Sequence, residues 1–306
     1  MIVELKDTTI SKVSKALVQI REQGGAVALG RVLTLVIQTN LEDLESAVKS
    51  ANESSREHPC RIIVLAEGKG ASANEAKLDA EIRVGGDAGA SEVIVLKAHG
   101  KAASDPELLV TGLLLPDAPV VAWWPSEAPE NLAKSSIGRI ATRRITDASL
   151  QKNPHAFLKQ LAKGYQPGDS DFAWTRITLW RAQLAAILDQ PPYDSVTAVE
   201  VTGAPDSPST DLLAAWLSLK LKVDVSISRQ PRDKSLSGIR GVKLIRESGN
   251  IEIVRLVPDI ATLIQPTQPT REISLPRRSD RDCLSEDLRR LDPDELFGKV
   301  IKWYAR

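Results

Sequence analysis

Short β-type runs alternate with helical segments along the first half of the chain, and this alternation is the strongest constraint on its fold. Aliphatic and β-branched residues concentrate at positions 26–39, 61–66, 78–84, 93–98 and 120–124. Apolar residues recur at helical spacing after Thr9, after the capping residue Asn40, and near residues 106–113. Strands that alternate with helices favour a mostly parallel sheet covered by helices, although the pair within 78–98 could run antiparallel.

The second half repeats this logic after a connecting region at 125–170 that is rich in Pro, Ser, Ala and Gly. Apolar spacing then predicts one long helix over residues 171–189. The strand candidates 196–201 and 223–228 flank a helix that Ser207 is placed to cap. This order of strand, helix and strand predicts a βαβ unit.

The chain closes with a hairpin that turns at residues 248–250 and with two capped helices, which open at Ser279 and at Asp292. We therefore predict an α/β fold with two domains, each a mostly parallel or mixed sheet flanked by helices. The predicted bounds are 1–150 for the N-terminal α/β domain and 151–306 for the C-terminal α/β domain, which includes a helical linker and the two terminal helices.

Charge balance and cysteine usage limit the classes of function. The 40 Lys and Arg residues match 40 Asp and Glu residues, so no net charge draws in nucleic acid or anionic lipid. No apolar run approaches the roughly 20 residues needed to cross a bilayer, and the first residues lack the pattern of a signal peptide. Two distant cysteines fit neither a disulfide scaffold nor a structural zinc site. These features predict a cytoplasmic protein that binds neither membrane nor nucleic acid.

The side chains that usually carry catalysis are few and isolated. His58, His99 and His155 belong to no metal-binding or nucleophile motif and are typical of surface or capping positions. Cys60 is expected to begin a buried strand, and the acidic neighbours of Cys283 oppose formation of a thiolate. The sequence therefore predicts no catalytic centre, no metal and no cofactor.

A glycine-rich stretch at residues 85–89 includes Gly85, Gly86 and Asp87. It matches neither of the common glycine-rich phosphate-binding motifs. It also lies between two predicted strands rather than before a helix, which favours a turn that needs positive φ angles.

A second stretch is better placed to bind an anion. Ser207, Ser209 and Thr210 lie between a predicted strand and a helix, where they could hold a sugar phosphate at the helix N-terminus. Capping alone also explains Ser207, and the nearby Asp206 and Asp211 would repel a phosphate. The capping and the ligand-binding interpretations both stay open.

Tryptophan and arginine are over-represented in the cores of protein interfaces, and six Trp stand against three Phe and three Tyr here. Trp123 and Trp124 end a predicted strand, so either both are buried under helix layers or one of them lies at the crevice where α/β sheets carry their sites. Trp174 and Arg181 align on one helix face, near Arg176, as an interdomain seam or a partner-binding face. These five residues, together with Gly85, Gly86 and Asp87, are the candidates for partner contact.

Several longer stretches resemble a single family. They are SREHPCR at 55–61, IRVGGDAGASEV at 82–93, LLLPDAP at 113–119, WWP at 123–125, AWTR at 173–176, LWR at 179–181, DQPPY at 189–193, LPRR at 275–278 and LRRLDPDE at 288–295. Together they resemble OpcA, the glucose-6-phosphate dehydrogenase assembly family of actinobacteria and cyanobacteria, in its actinobacterial form. The resemblance runs from the first helix to the last.

The resemblance implies a non-catalytic positive effector that binds glucose-6-phosphate dehydrogenase and favours its active oligomer. Such a protein would support the oxidative pentose phosphate pathway and the supply of NADPH. Cyanobacterial members are linked to thioredoxin control through cysteines, a property that Cys60 and Cys283 give no reason to carry over. The alternative is a sugar-phosphate-binding protein or enzyme that uses the helix start at 207–210. The docking face and the oligomeric state of the protein itself stay open.

Overall fold

The computed structural model of the protein describes residues 1–23, 30, 32–67, 76–85, 92–232 and 237–306. The chain forms two compact units, each built on a sheet with flanking helices. The first unit comprises residues 1–147, 168–170 and 280–293, and the second comprises residues 148–167, 171–279 and 294–306. This is the α/β class that the sequence predicts, while the division into domains at residue 150 stays a prediction.

The strands of the described residues, in chain order, are β1 (Ile2–Leu5), β2 (Leu33–Asn40), β3 (Cys60–Glu67), β4 (Ala76–Arg83), β5 (Glu92–Gly100), β6 (Val120–Trp124), β7 (Arg143–Thr146), β8 (Asp169–Asp171), β9 (Ala198–Gly203), β10 (Asp224–Arg229), β11 (Ile239–Ile245), β12 (Ile251–Arg255), β13 (Ile260–Ile264) and β14 (Arg271–Ser274). The helices are α1 (Ile10–Gln23), α2 (Leu44–Ser54), α3 (Pro106–Thr111), α4 (Ser136–Ile140), α5 (Pro154–Gly164), α6 (Phe172–Thr175), α7 (Thr178–Leu188), α8 (Pro208–Leu221), α9 (Asp280–Arg289) and α10 (Glu295–Tyr304). None of these helices is long and apolar enough to cross a membrane.

The sheet of the first unit has the strand order β1-β4-β5-β3-β2-β6-β7-β8. Strands β5, β3, β2, β6 and β7 run parallel to one another, whereas β4 is antiparallel to both β1 and β5. The antiparallel option for residues 78–98 is therefore the one observed. Nearly every residue of β2, β3 and β6 is buried, as expected for central parallel strands covered on both faces.

Helix α9 completes the first unit, where it packs on α2. A buried polar cluster fixes it there: Asp287 accepts hydrogen bonds from the guanidinium of Arg143 and, at 2.8 Å, from the hydroxyl of Ser170. Arg143 also donates to the carbonyl of Asp292 at 3.1 Å. Only 2% of Asp287 is exposed, so the paired charges belong to the interior of the unit rather than to its surface.

The sheet of the second unit has the strand order β10-β9-β11-β12-β13-β14. Strands β9 and β10 are parallel and joined through α8, which confirms the predicted βαβ unit. Strands β11 and β12 pair antiparallel across the 248–250 turn, which confirms the predicted hairpin. Helix α8 packs on β9 and β10 and also contacts α10.

The prediction of one long helix over 171–189 is wrong. The segment forms α6 and α7, interrupted at Arg176 and Ile177, where Ile177 adopts φ −89° and ψ 6°. The Ile177 N–H bonds to the carbonyl of Trp174, three residues back, at 3.1 Å. Because such a tight turn nearly preserves helical spacing, the apolar periodicity continues across the break and does not reveal it.

Two predicted caps are shifted in the structure. Asn40 accepts a hydrogen bond from the Asp43 N–H at 2.8 Å, but α2 begins only at Leu44, so Asn40 closes the preceding turn instead of capping the helix. Helix α10 is capped by Asp294, which accepts from the Phe297 N–H, and not by Asp292. Helix α9 begins directly after Ser279, as predicted.

Candidate functional site

Trp123 and Trp124, the two tryptophans at the end of β6, are each 1% exposed. The indole N–H of Trp124 donates to the side-chain oxygen of Gln38 on β2 at 2.9 Å. Of the two alternatives that the sequence left open, burial of both rings is therefore the one observed. It corrects the hypothesis that these side chains present themselves to a partner.

Trp174 lies in the interior of the second unit and is 2% exposed. The Arg181 guanidinium stacks over its ring at 3.8 Å, and its indole N–H donates to Asp294 at 2.8 Å. The ring also lies 5.8 Å from that of Phe297, centroid to centroid. The predicted alignment of Trp174 with Arg181 is therefore real. Trp174 connects α6, α7 and α10 from inside the unit, and its burial corrects the hypothesis that it contacts a partner directly. Arg181 is half-buried.

The glycine-rich stretch is only partly described. Gly85 is exposed and has φ +74°, in the left-handed region that favours glycine, as the predicted turn requires. Gly86 and Asp87 lie outside the described residues. Gly85 therefore stays a candidate for partner contact on the strength of the sequence and its exposure.

The start of α8 is the best-defined of the predicted sites. Ser207 caps the helix, because its hydroxyl oxygen accepts hydrogen bonds from the Thr210 N–H at 3.2 Å and from the Thr210 hydroxyl at 2.8 Å. Ser209 uses its own hydroxyl to donate to the carbonyl of Ala173 at 2.9 Å. A side chain at Gly203 would come within 2.1 Å of Thr210 Oγ1, so this close approach requires glycine.

A cavity of about 590 Å³ opens at this helix start, within the second unit. Ser207 and Ser209 line it, whereas Thr210 is fully buried and does not. Arg176, a predicted partner contact, lines the same cavity and is 7% exposed. Its guanidinium donates a hydrogen bond at 3.2 Å to the hydroxyl of Ser149, a residue that also lines the cavity. The structure thus places Arg176 in the cavity wall, and its contact with a partner stays a prediction.

The cavity also contains arginines that the sequence did not single out as ligand groups. Arg255 ends β12, Arg277 follows β14, and Arg232 lies beyond β10. They come from segments far apart in the chain and share no local motif. Nothing in the sequence pattern alone brings them together with Ser207.

The two acidic residues that the sequence sets against a phosphate are both paired. Asp206 lies 2.7 Å from Arg232 in an ion pair. Asp211, which is 2% exposed, contacts the guanidinium of Arg229 and Nδ1 of His155. Their negative charge is therefore largely compensated within the second unit.

Both ring nitrogens of His155 lie against oxygen atoms of the second unit. Its Nδ1 faces the Asp211 carboxylate, and its Nε2 lies 2.8 Å from the carbonyl of Pro205. These two contacts connect the ring to α8 and to the loop that precedes it. The two cysteine thiols, Cys60 and Cys283, are fully buried.

We expect Ser207→Ala to lower the free energy of unfolding by about 1 kcal/mol, because the substitution removes the side-chain oxygen that accepts from both the N–H and the hydroxyl of Thr210. Urea unfolding followed by circular dichroism measures this difference. Ser207→Thr keeps a capping oxygen and should remain near the wild-type stability. Equal stability of the Ala variant and the wild type would contradict the capping role.

Fold and site together define the class: an α/β protein whose second unit contains a cavity of small-ligand size. Residues 51–163 match the family model described as the glucose-6-phosphate dehydrogenase subunit N-terminal domain, and residues 167–301 match that of the C-terminal domain. The two matches cover most of the chain. The chain belongs to the OpcA family of glucose-6-phosphate dehydrogenase assembly subunits.

The other comparisons add little to this assignment. No curated protein matches the chain. Among solved structures, the chain is similar to one described as the X-ray crystal structure of glucose-6-phosphate 1-dehydrogenase from Mycobacterium avium. The identity is 11% over 88% of this chain and 90% of that chain, with a TM-score of 0.43.

Proposed function

We propose that the protein is a non-catalytic assembly factor that binds glucose-6-phosphate dehydrogenase and favours its active oligomer. The observation that carries the proposal is the pair of family matches, both to domains of a glucose-6-phosphate dehydrogenase subunit. In this role it acts in the cytoplasm and supports the oxidative pentose phosphate pathway and the supply of NADPH. The engaged ring of His155 and the buried thiols are in keeping with a role without chemistry of its own.

The mechanism rests on differential affinity. A protein that binds one oligomer of its partner more tightly than another shifts the population toward the preferred form. A 100-fold preference corresponds to about 2.7 kcal/mol, which is enough to turn a minor oligomer into the dominant one. No bond is made or broken, so the effect reverses when the protein is removed.

Burial of several predicted contact residues reduces the number of candidates for the docking face. Trp123, Trp124 and Trp174 are enclosed within their units. Gly85 in the first unit and Arg181 in the second stay as candidates, since the first is exposed and the second is half-buried. We propose that the dehydrogenase contacts the chain at one or both of these positions.

Isothermal titration of purified dehydrogenase into the full chain tests the binding itself. We expect saturable heat, with crosslinks or slowed amide exchange near Gly85 or Arg181 in the complex. Arg181→Gln should weaken the binding, whereas its matched control Arg271→Gln should not, because that change removes an exposed arginine whose side chain bonds only weakly to Gln265, at 3.4 Å. No saturable binding at tens of micromolar, together with unchanged exchange at both positions, would overturn the proposal.

A further inference from the structure

The cavity beside α8 has the physical character of a small-molecule site. Its volume of about 590 Å³ lies within the range of such sites, roughly 300–1,000 Å³. Ile177, Trp180 and Ile239 contribute apolar surface to the lining, and arginines and serines contribute polar groups. An apolar surface combined with a few convergent polar groups is what small-molecule sites in proteins have in common.

The lining is strongly positive. Among its described residues, Arg176, Arg232, Arg255 and Arg277 stand against a single carboxylate, that of Asp206. Asp206 is already paired with Arg232 at 2.7 Å. An anion that enters the cavity therefore meets three further guanidinium groups and no further carboxylate of the described lining.

Arg255 is the most informative residue of this wall, because it is only 3% exposed. Its Nη2 donates to the carbonyls of Ser237 and Ile239, at 2.8 and 2.7 Å. Its Nε is buried and has no acceptor among the described residues. A guanidinium is always charged in proteins, and burying such a charge costs free energy unless an anion compensates it.

The charges around Arg255 make the need for an anion stronger. Burial, and after it the positive charge of Arg277, lower the pKa of Arg255, and Asp259 opposes them. Arg277 is held beside the cavity by a hydrogen bond to the hydroxyl of Ser237. An anion next to both guanidinium groups would turn their mutual repulsion into two charge-assisted contacts.

The helix start adds neutral donors to these charges. The Ser207 hydroxyl oxygen accepts two hydrogen bonds from Thr210, so its own proton is available to a ligand. The first turn of a helix also leaves N–H groups without an intrahelical acceptor, and that of Ser209 is one of them. These donors, together with the partial positive charge of the N-terminus of α8, favour a phosphate group there.

We propose that this cavity binds a small phosphate monoester, with its phosphate group beside Arg255, Arg277 and the start of α8. A phosphate monoester has about two negative charges and three acceptor oxygens, which matches several guanidinium groups better than a carboxylate does. The volume leaves room for a body of several carbon atoms next to Trp180. The site belongs to the second unit alone and does not depend on binding to the dehydrogenase.

Calorimetric titration and thermal unfolding of the isolated full chain test this site. The probes are inorganic phosphate, glycerol 3-phosphate and glucose 6-phosphate, with glucose and sulfate as controls. We expect saturable binding of at least one ester and a raised melting temperature. Arg255→Met and Arg277→Gln should each weaken binding about tenfold or more, because each removes a charged donor, whereas Arg271→Gln should not.

Each other outcome has a definite meaning. No binding of either ester up to tens of millimolar overturns the proposal, and so does binding that Arg255→Met and Arg277→Gln leave unchanged. If inorganic phosphate binds as tightly as the esters, the proposed specificity for a phosphate monoester is overturned, and the cavity is a site for simple anions. If Arg255→Met fails to fold, Arg277→Gln decides, together with slowed exchange of the Ser209 and Thr210 amides on ligand addition to the wild type.

Discussion

Replacing Glu92 with glutamine should lower the stability of the first unit by about 3–5 kcal/mol, because the change leaves the charge of Arg61 buried and uncompensated. The two residues are direct partners across β3 and β5, and Arg61 Nε donates to Glu92 at 2.8 Å. Glu92 is 2% exposed and also accepts from Arg21, at 2.9 Å, while Arg61 is 5% exposed. Protection of the β3 and β5 amides against hydrogen exchange measures the change locally, which suits a chain with two units.

Two further variants distinguish the stability lost by leaving a buried charge uncompensated from the stability lost by breaking an ion pair. Arg139→Gln breaks an exposed pair with Glu107, at 2.8 Å, and should cost no more than about 1 kcal/mol. The double replacement Arg61→Met with Glu92→Leu should recover much of the loss, since an apolar pair of similar volume carries no desolvation penalty. A Glu92→Gln variant as mildly affected as Arg139→Gln would contradict this account.

Replacing Trp174 with alanine should destabilise the second unit by about 3–5 kcal/mol, because it empties a large buried volume between α6, α7 and α10. The substitution removes the stacking of Arg181 at 3.8 Å, the hydrogen bond to Asp294 at 2.8 Å and the contact with Phe297. Hydrogen exchange of the α7 and α10 amides is the measurement, with faster exchange in both helices as the expected result.

Trp174→Phe is the matched control, since it keeps an aromatic ring and removes the indole hydrogen bond. It should cost about 1–2 kcal/mol. The pair of variants also separates structure from function at a predicted partner contact. If Trp174→Ala loses dehydrogenase binding and Trp174→Phe keeps it, Trp174 acts through the fold of the second unit. An Ala variant with wild-type exchange in α7 and α10 would show that the ring is not a structural anchor.

The features that sequence predicts well here are those with local causes. The βαβ unit of β9, α8 and β10 follows from two apolar runs around a Ser-Pro helix start, and the β11–β12 hairpin follows from the 248–250 turn. The capping role of Ser207 belongs to the same group, because its partner Thr210 is three residues away. In each case the residues that signal the feature lie within a short stretch of the chain.

The features that sequence does not predict depend on tertiary packing. The attachment of α9 to the first unit rests on Asp287, whose partner Arg143 is 144 residues away. The cavity arginines come from separate segments, and Arg277 lies in a stretch interleaved with acidic residues that is typical of a solvated surface. Burial of both Trp123 and Trp124 depends on cover from both faces of the sheet, which strand alternation alone does not establish.

Sedimentation velocity of the dehydrogenase, paired with its reaction rate on the same samples, tests the central claim most directly. As the full chain is added, we expect the dehydrogenase to move into a heavier species that contains the chain. The specific activity should rise with the fraction of that species and reach its plateau at the same ratio of chain to dehydrogenase. A size distribution and a rate that both stay unchanged at saturating chain would contradict the assembly function.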